Sequence, residues 1–184
     1  MKSICVYCGS KFGDDTAYRE AAQDLGKMAA AKGWRLVYGG GKLGLMGAAA
    51  GAARDNGGAV FGVIPQFLVE LEGILDGVEH KVVETMHERK MIMFDEADAI
   101  VTLPGGIGTL EEVIETVSWA RLQLHRKPII LLSLNEYWSP LQAMFEHIVS
   151  KGFADEALLK DIRLVDNVGD VFKAAEDRLL SSII

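Results

Sequence analysis

Hydrophobic positions along the chain follow two spacings that alternate from one end to the other. Compact apolar runs at residues 3–8, 35–38, 59–64, 79–84, 99–103, 128–133 and 163–165 have the length and composition of β-strands. Between them, apolar residues three and four apart predict helices over residues 16–32, 45–55, 85–97, 137–151 and 168–180, with another starting at Thr109. Gly33 stands where a helix C-cap glycine belongs, and Asn56-Gly57-Gly58 stops the second helix. Pro65 and Pro104 end strands, because proline has no N–H to give to a sheet ladder. Residues 66–77 read as a loop with one helical turn. No linker, repeat or low-complexity segment interrupts the alternation. It predicts one Rossmann-like α/β domain over residues 1–184, a doubly wound, mostly parallel sheet with helices on both faces. In such folds a ligand sits beyond the carboxyl ends of the strands, where the strand order reverses.

The stretch from Asp98 to Glu112, DAIVTLPGGIGTLEE, concentrates the candidate chemistry. Residues 99–103 read as a strand buried on both faces, ended by Pro104, and Gly105, Gly106 and Gly108 let a ligand approach the backbone closely. From Thr109 the pattern turns helical through Leu110, Val113, Ile114 and Val117. A glycine turn between strand and helix aims backbone N–H groups and the helix's positive end at one point, where phosphate commonly binds. Thr109 and Glu112 also have a purely structural reading, as a T-x-x-E capping box. The glycines favour the ligand, since a capping box does not require them.

Composition narrows the function. The chain has 184 residues, 49% of them hydrophobic, enough to bury its own core. A net charge of −7 argues against a nucleic-acid surface, and no cluster of Lys and Arg suits a membrane surface. The start, MKSICVYCGS, lacks the apolar core of a signal peptide, and no stretch approaches the ~20 apolar residues of a membrane helix. A soluble cytoplasmic protein is expected. Cys5 and Cys8 form C-x-x-C, but residues three apart on a strand face opposite sides and no second pair exists. Both are expected to be reduced and buried. His80, His87, His125 and His147 show no zinc-ligand spacing, and no metal is expected.

Two more segments bear on ligand binding. Gly39, Gly41 and Gly44 fit G-x-G-x-x-G after a strand and before a helix. The pattern follows the second strand, and the next strand ends in Val63-Ile64-Pro65 without the acid that holds an NAD ribose, which disfavours an NAD-dependent oxidoreductase. A Walker A loop is absent. What remains is a generic phosphate or nucleotide cradle, or glycine used for close helix–sheet packing. In MHERK, Arg89 and Lys90 lie near the amino end of a helix starting at Thr85, where each cation opposes the helix dipole by roughly 0.3–1 kcal/mol. They are placed there for a ligand, or they form a solvated basic patch beside Glu88.

MHERK, ADAIVTLPGGIGTLEE and SWARLQLHRKP together closely resemble the Lonely Guy family, the cytokinin riboside 5′-monophosphate phosphoribohydrolases, often labelled lysine decarboxylases. The resemblance runs from CVYCGS through YGGGKLGLMG and GVIP to about Gly152-Phe153. The decarboxylase label has no support in the residues, since no pyridoxal-phosphate lysine motif is recognisable. The resemblance implies a hydrolase that cleaves the N-glycosidic bond of a purine nucleoside 5′-monophosphate, with adenine or an N6-substituted adenine as base. Free base and ribose 5-phosphate are the implied products, with no cofactor or metal.

By the same resemblance Arg89 and Glu112 are the catalytic pair. Substrate contacts are implied at Lys90, Gly106, Ile107, Gly108 and Thr109, and along the same helix at Leu110, Glu111 and Ser118. Glu72, Ser10, Gly40 and Gly41 complete the implied binding set. Ser118 stands where the family usually has threonine, Lys11 replaces a usual serine, and Arg121 takes a place where glutamine is common. The last two bear on substrate preference or subunit contact. A homodimer with shared active sites is also implied. Met86, Met91, Ile92, Met93 and Phe94 make their helix apolar around much of its girth, which fits burial between subunits or within one subunit's core. The competing reading is a non-catalytic nucleotide or pterin-cofactor carrier using the same cradle. The pairing of Arg89 with Glu112 favours the enzyme, because a carrier has no use for a carboxylate beside an anionic ligand.

Overall fold

Every residue of β1 (Ser3–Tyr7) is buried, and its side chains alternate between two cores. Ile4 and Val6 join one, Cys5 and Tyr7 the other. Such a strand must be covered on both faces, and the rest of the chain supplies the cover. The computed structural model describes residues 1–181. After β1 come α1 (Thr16–Ala31), β2 (Arg35–Tyr38), α2 (Gly44–Asp55), β3 (Val60–Pro65), α3 (Gln66–Glu72) and β4 (Glu79–Val83). The second half runs α4 (Met86–Asp95), β5 (Ala99–Thr102), α5 (Ile107–Arg121), β6 (Ile129–Leu132), α6 (Ser139–Ser150), α7 (Ala157–Asp161), β7 (Ile162–Val165) and α8 (Val168–Ser181).

The strands form one sheet in the order β4-β3-β2-β1-β5-β6-β7, and each neighbouring pair is parallel. The chain builds outward from β1 to β4, then returns to add β5 on the other side, so the order reverses between β1 and β5. One core holds α1, α2 and α8 against the sheet, and the other holds α4, α5, α6 and α7. The small residues of α2 let it approach α1 closely. A Cβ on Gly26 of α1 would overlap the backbone carbonyl of Ala49. Cys5 and Cys8 are free thiols buried in opposite cores. Among the described residues no helix is long and apolar enough to cross a membrane.

The structure corrects four details. α5 begins at Ile107, with Gly106 as its N-cap, rather than at Thr109. Ile107 is 83% exposed, so the apolar periodicity becomes visible only later. Thr109 therefore lies inside the first turn, and no capping box forms with Glu112. Residues 66–72 make a full helix, α3, in place of a single turn. α7 escapes a periodicity argument because it is five residues long and buries only Leu158. α6 starts at Ser139, after a 3₁₀ turn at Leu134–Glu136 in which Asn135 and Glu136 have φ of 48° and 61°. The other T-x-x-E pair forms in one direction. Thr85 Oγ1 accepts the Glu88 N–H at 3.1 Å, while Glu88 Oε2 accepts from Glu84 N, one residue before the cap.

Candidate active site

The turns after β1 and β5 are tied together at the reversal point. Gly9 N–H donates to Pro104 O at 3.1 Å, and Leu45 N–H, at the start of α2, donates to Gly9 O at 3.0 Å. α5 leaves this junction with no side chain capping it. The Leu110 N–H is bonded to Gly106 O at 3.0 Å, so the N–H groups of Ile107, Gly108 and Thr109 precede the helical ladder. Gly106, Ile107 and Gly108 are exposed. An open helix amino end of this kind is an anion site. It borders a cavity of about 380 Å³, also lined by Ser10, Lys11, Glu72, Arg89, Glu111 and Glu112.

Arg89 is 6% exposed, which rules out the solvated patch. Its Nε donates to Val63 O at 3.2 Å and its Nη2 to Gly39 O at 2.9 Å, while Nη1 lies 3.8 Å from Met86 Sδ. Carbonyl oxygens thus hold the guanidinium at the ends of β2 and β3, and among the described residues no carboxylate pairs with it. A cation buried this way favours an anion or an electron-rich ring as its remaining partner. The glycine at position 39 is required by this arrangement, because a Cβ there would collide with the guanidinium. Gly41 faces the Glu72 carboxylate in the same manner. The glycine run after β2 therefore makes room, at positions 39 and 41, for side chains that line the cavity.

Glu112 lines the same cavity as Arg89 and feels its charge. Its carboxyl lies among protein atoms, and burial pushes its pKa from 4.5 up to about 7 against the pull of Arg89. Glu111 and Glu115 add to the rise, and Lys90 opposes it. Glu72 brings a second acid to the wall, with Oε2 buried and without a hydrogen bond. Burial holds the Cys8 thiol well above its ordinary value, so it stays protonated and does not act as a nucleophile.

Of the residues singled out from sequence, Ser10, Glu72, Arg89, Gly106, Ile107, Gly108, Thr109, Glu111 and Glu112 border one cavity. Gly40 and Gly41 are not among its lining residues, and Gly40 O accepts from the Tyr38 hydroxyl at 3.2 Å. Leu110 packs into the core shared by α4 and α5. Lys90 turns to Glu111 and Glu115 on α5. Ser118 is exposed further along α5, with its hydroxyl donating to Ile114 O at 2.7 Å. Sequence reasoning missed the apolar wall of Met46, Met86 and Met93. Met86, Arg89 and Met93 are spaced i, i+3, i+7, a signal that they share one face of α4.

Comparison with known proteins bears on what this cavity does. A family model described as possible lysine decarboxylase matches residues 46–175. A probable cytokinin riboside 5′-monophosphate phosphoribohydrolase of Oryza sativa subsp. japonica is 44% identical over 173 residues, covering 93% of this chain and 75% of the relative. A cytokinin riboside 5′-monophosphate phosphoribohydrolase of Rhodococcoides fascians is 45% identical over 158 residues, covering 85% and 80%. Among solved structures, the molybdenum cofactor carrier protein of Chlamydomonas reinhardtii matches with a TM-score of 0.75 at 26% identity, over 97% of this chain and 98% of that one.

Proposed function

The chain belongs to the Lonely Guy family of cytokinin riboside 5′-monophosphate phosphoribohydrolases, and on that premise we propose that the cavity between α4 and α5 hydrolyses the N-glycosidic bond of a purine nucleoside 5′-monophosphate. One observation carries the reading: the open amino end of α5, the Glu112 carboxyl and the Arg89 guanidinium border the same cavity.

The backbone N–H groups at 106–109 hold the 5′-phosphate and bring the ribose beside Glu112. Cleavage builds positive charge on the sugar ring, so an adjacent carboxylate stabilises the transition state more than the ground state. The same carboxylate can accept a proton from the attacking water, a contribution of typically about 10²–10⁴-fold. Arg89, fixed by two carbonyl oxygens, steadies the departing purine or the phosphate through its planar donors. Ser10 and Glu72 complete the polar wall around the nucleotide. None of these roles needs a metal.

The active unit in this reading is a homodimer. Of the apolar residues of α4, Met93 and Phe94 are buried in the subunit's own core, so they do not call for a partner. α5 and its C-cap do expose Ile107, Ile114 and Leu122 at 83%, 40% and 69%. Their spacing of seven and eight residues sets them on one face, which they share with the exposed Glu111 and Ser118.

Incubation with AMP and with N6-isopentenyl-AMP, followed by chromatography, tests the function. Free base and ribose 5-phosphate are expected from at least one of the two. The likeness to the molybdenum cofactor carrier supports a second reading, a carrier, though at lower identity than the phosphoribohydrolases. Tight binding of either nucleotide with no release of base would favour the carrier.

A further inference from the structure

Lys90 directly follows Arg89, yet it does not line the cavity. Its side chain is 12% exposed, with Nζ 2.6 Å from Glu111 Oε1 and 2.9 Å from Glu115 Oε2. Those glutamates are four residues apart on α5, so one ammonium spans both, and Glu112 follows directly after the first. We propose that Lys90 is a positioning residue for Glu112, which locks α4 to α5 and neutralises the two carboxylates nearest to Glu112 along its helix. The proposal rests on the hydrolase reading and adds to it a residue that works without touching substrate.

Geometry gives Lys90 a mechanical role. Arg89 and Glu112 sit on different helices, and their approach to a common cavity depends on how α4 lies against α5. Among the described residues, the Lys90 bridge is the ion-pair link between these helices. Burial works against the lysine's charge, but its bonds to Glu111 and Glu115 more than restore it, so Lys90 remains an ammonium.

Electrostatics gives it a second role. The charged groups that act most on Glu112 are Arg89 and Lys90 from α4 and Glu111 and Glu115 from its own helix, and Glu72 of α3 and Lys11 after β1 line the same cavity. From the β1 side, Cys5, Tyr7 and Cys8 face it, and burial keeps all three neutral. With Lys90 present, three cations (Arg89, Lys90 and Lys11) stand against three acids (Glu111, Glu115 and Glu72). Without it the balance turns negative, which favours the protonated form of Glu112. Less of the enzyme would then carry the carboxylate at neutral pH.

NMR titration of the full-length protein, labelled with ¹³C at the glutamate carboxyls and assigned with Glu112→Gln, reads this directly. Lys90→Met is expected to move the Glu112 midpoint upward by roughly half a pH unit. With AMP, the same variant should lower kcat at neutral pH and leave KM little changed. Lys90→Arg should keep the wild-type midpoint, and adding Glu111→Gln and Glu115→Gln to Lys90→Met should bring the midpoint back down. An unmoved midpoint in Lys90→Met, or a raised KM at unchanged kcat, would overturn the proposal in favour of direct substrate contact. If Lys90→Met does not fold, Glu115→Gln alone should lower the midpoint, and no change there would also overturn it. If Lys90→Met shows the midpoint shift but the wild-type protein releases no base, the hydrolase reading is refuted and the coupling of Lys90 to Glu112 stands.

Discussion

Enclosure sets the ionisation of Glu112. Its carboxyl titrates near 7 instead of 4.5, so the folded protein holds that proton more tightly than the unfolded chain does. Between those two values the folded state binds more protons, and stability therefore falls as pH rises through the window. Glu112→Gln removes this dependence. The variant should be more stable than wild type by on the order of 3 kcal/mol above the window, and the advantage should vanish below it. Thermal denaturation on either side of the window measures this; an equal difference in Tm on both sides would contradict it. Arg89 stood out in the sequence because a cation near a helix start runs against local rules, whereas Glu112, which also fits a capping box, was marked by the family resemblance. The need for glycine at position 39 was not legible, because it comes from a guanidinium fifty residues away in the chain.

At the scale of elements, periodicity was most readable where one side of a segment is buried and least where the pattern is broken by exposure. The strands were located to within a residue or so, and β1 and β5 show why, since each is buried along its whole length. The start of α5 was misplaced because Ile107 is apolar and yet faces solvent. That displacement changed the meaning of Thr109, from a helix cap to a buried residue of the first turn whose hydroxyl lies against Gly105. The short α7 carried too few apolar positions to register. The cavity-lining face of α4 was half legible. Its two cations were plain, while the methionines flanking Arg89 read only as generic hydrophobicity, although their spacing put them on the same face.

At the scale of the whole molecule, the parallel sheet sets the turns after β1 and β5 side by side, and the functional groups follow from that topology. The exposed Ile107, Ile114 and Leu122 belong to the same scale, because the proposed homodimer would cover them. Light scattering should give a mass near twice 20.0 kDa, and Ile114→Glu should shift it toward the monomer. A wild-type mass of one chain would contradict the dimer. The central claim is that a sugar held by the amino end of α5 is attacked beside Glu112. Its most direct test is the rate of free adenine release from AMP by wild type and by folded Glu112→Gln. The account predicts a loss of at least about 10²-fold in the variant, whereas near wild-type release would remove Glu112 from the mechanism.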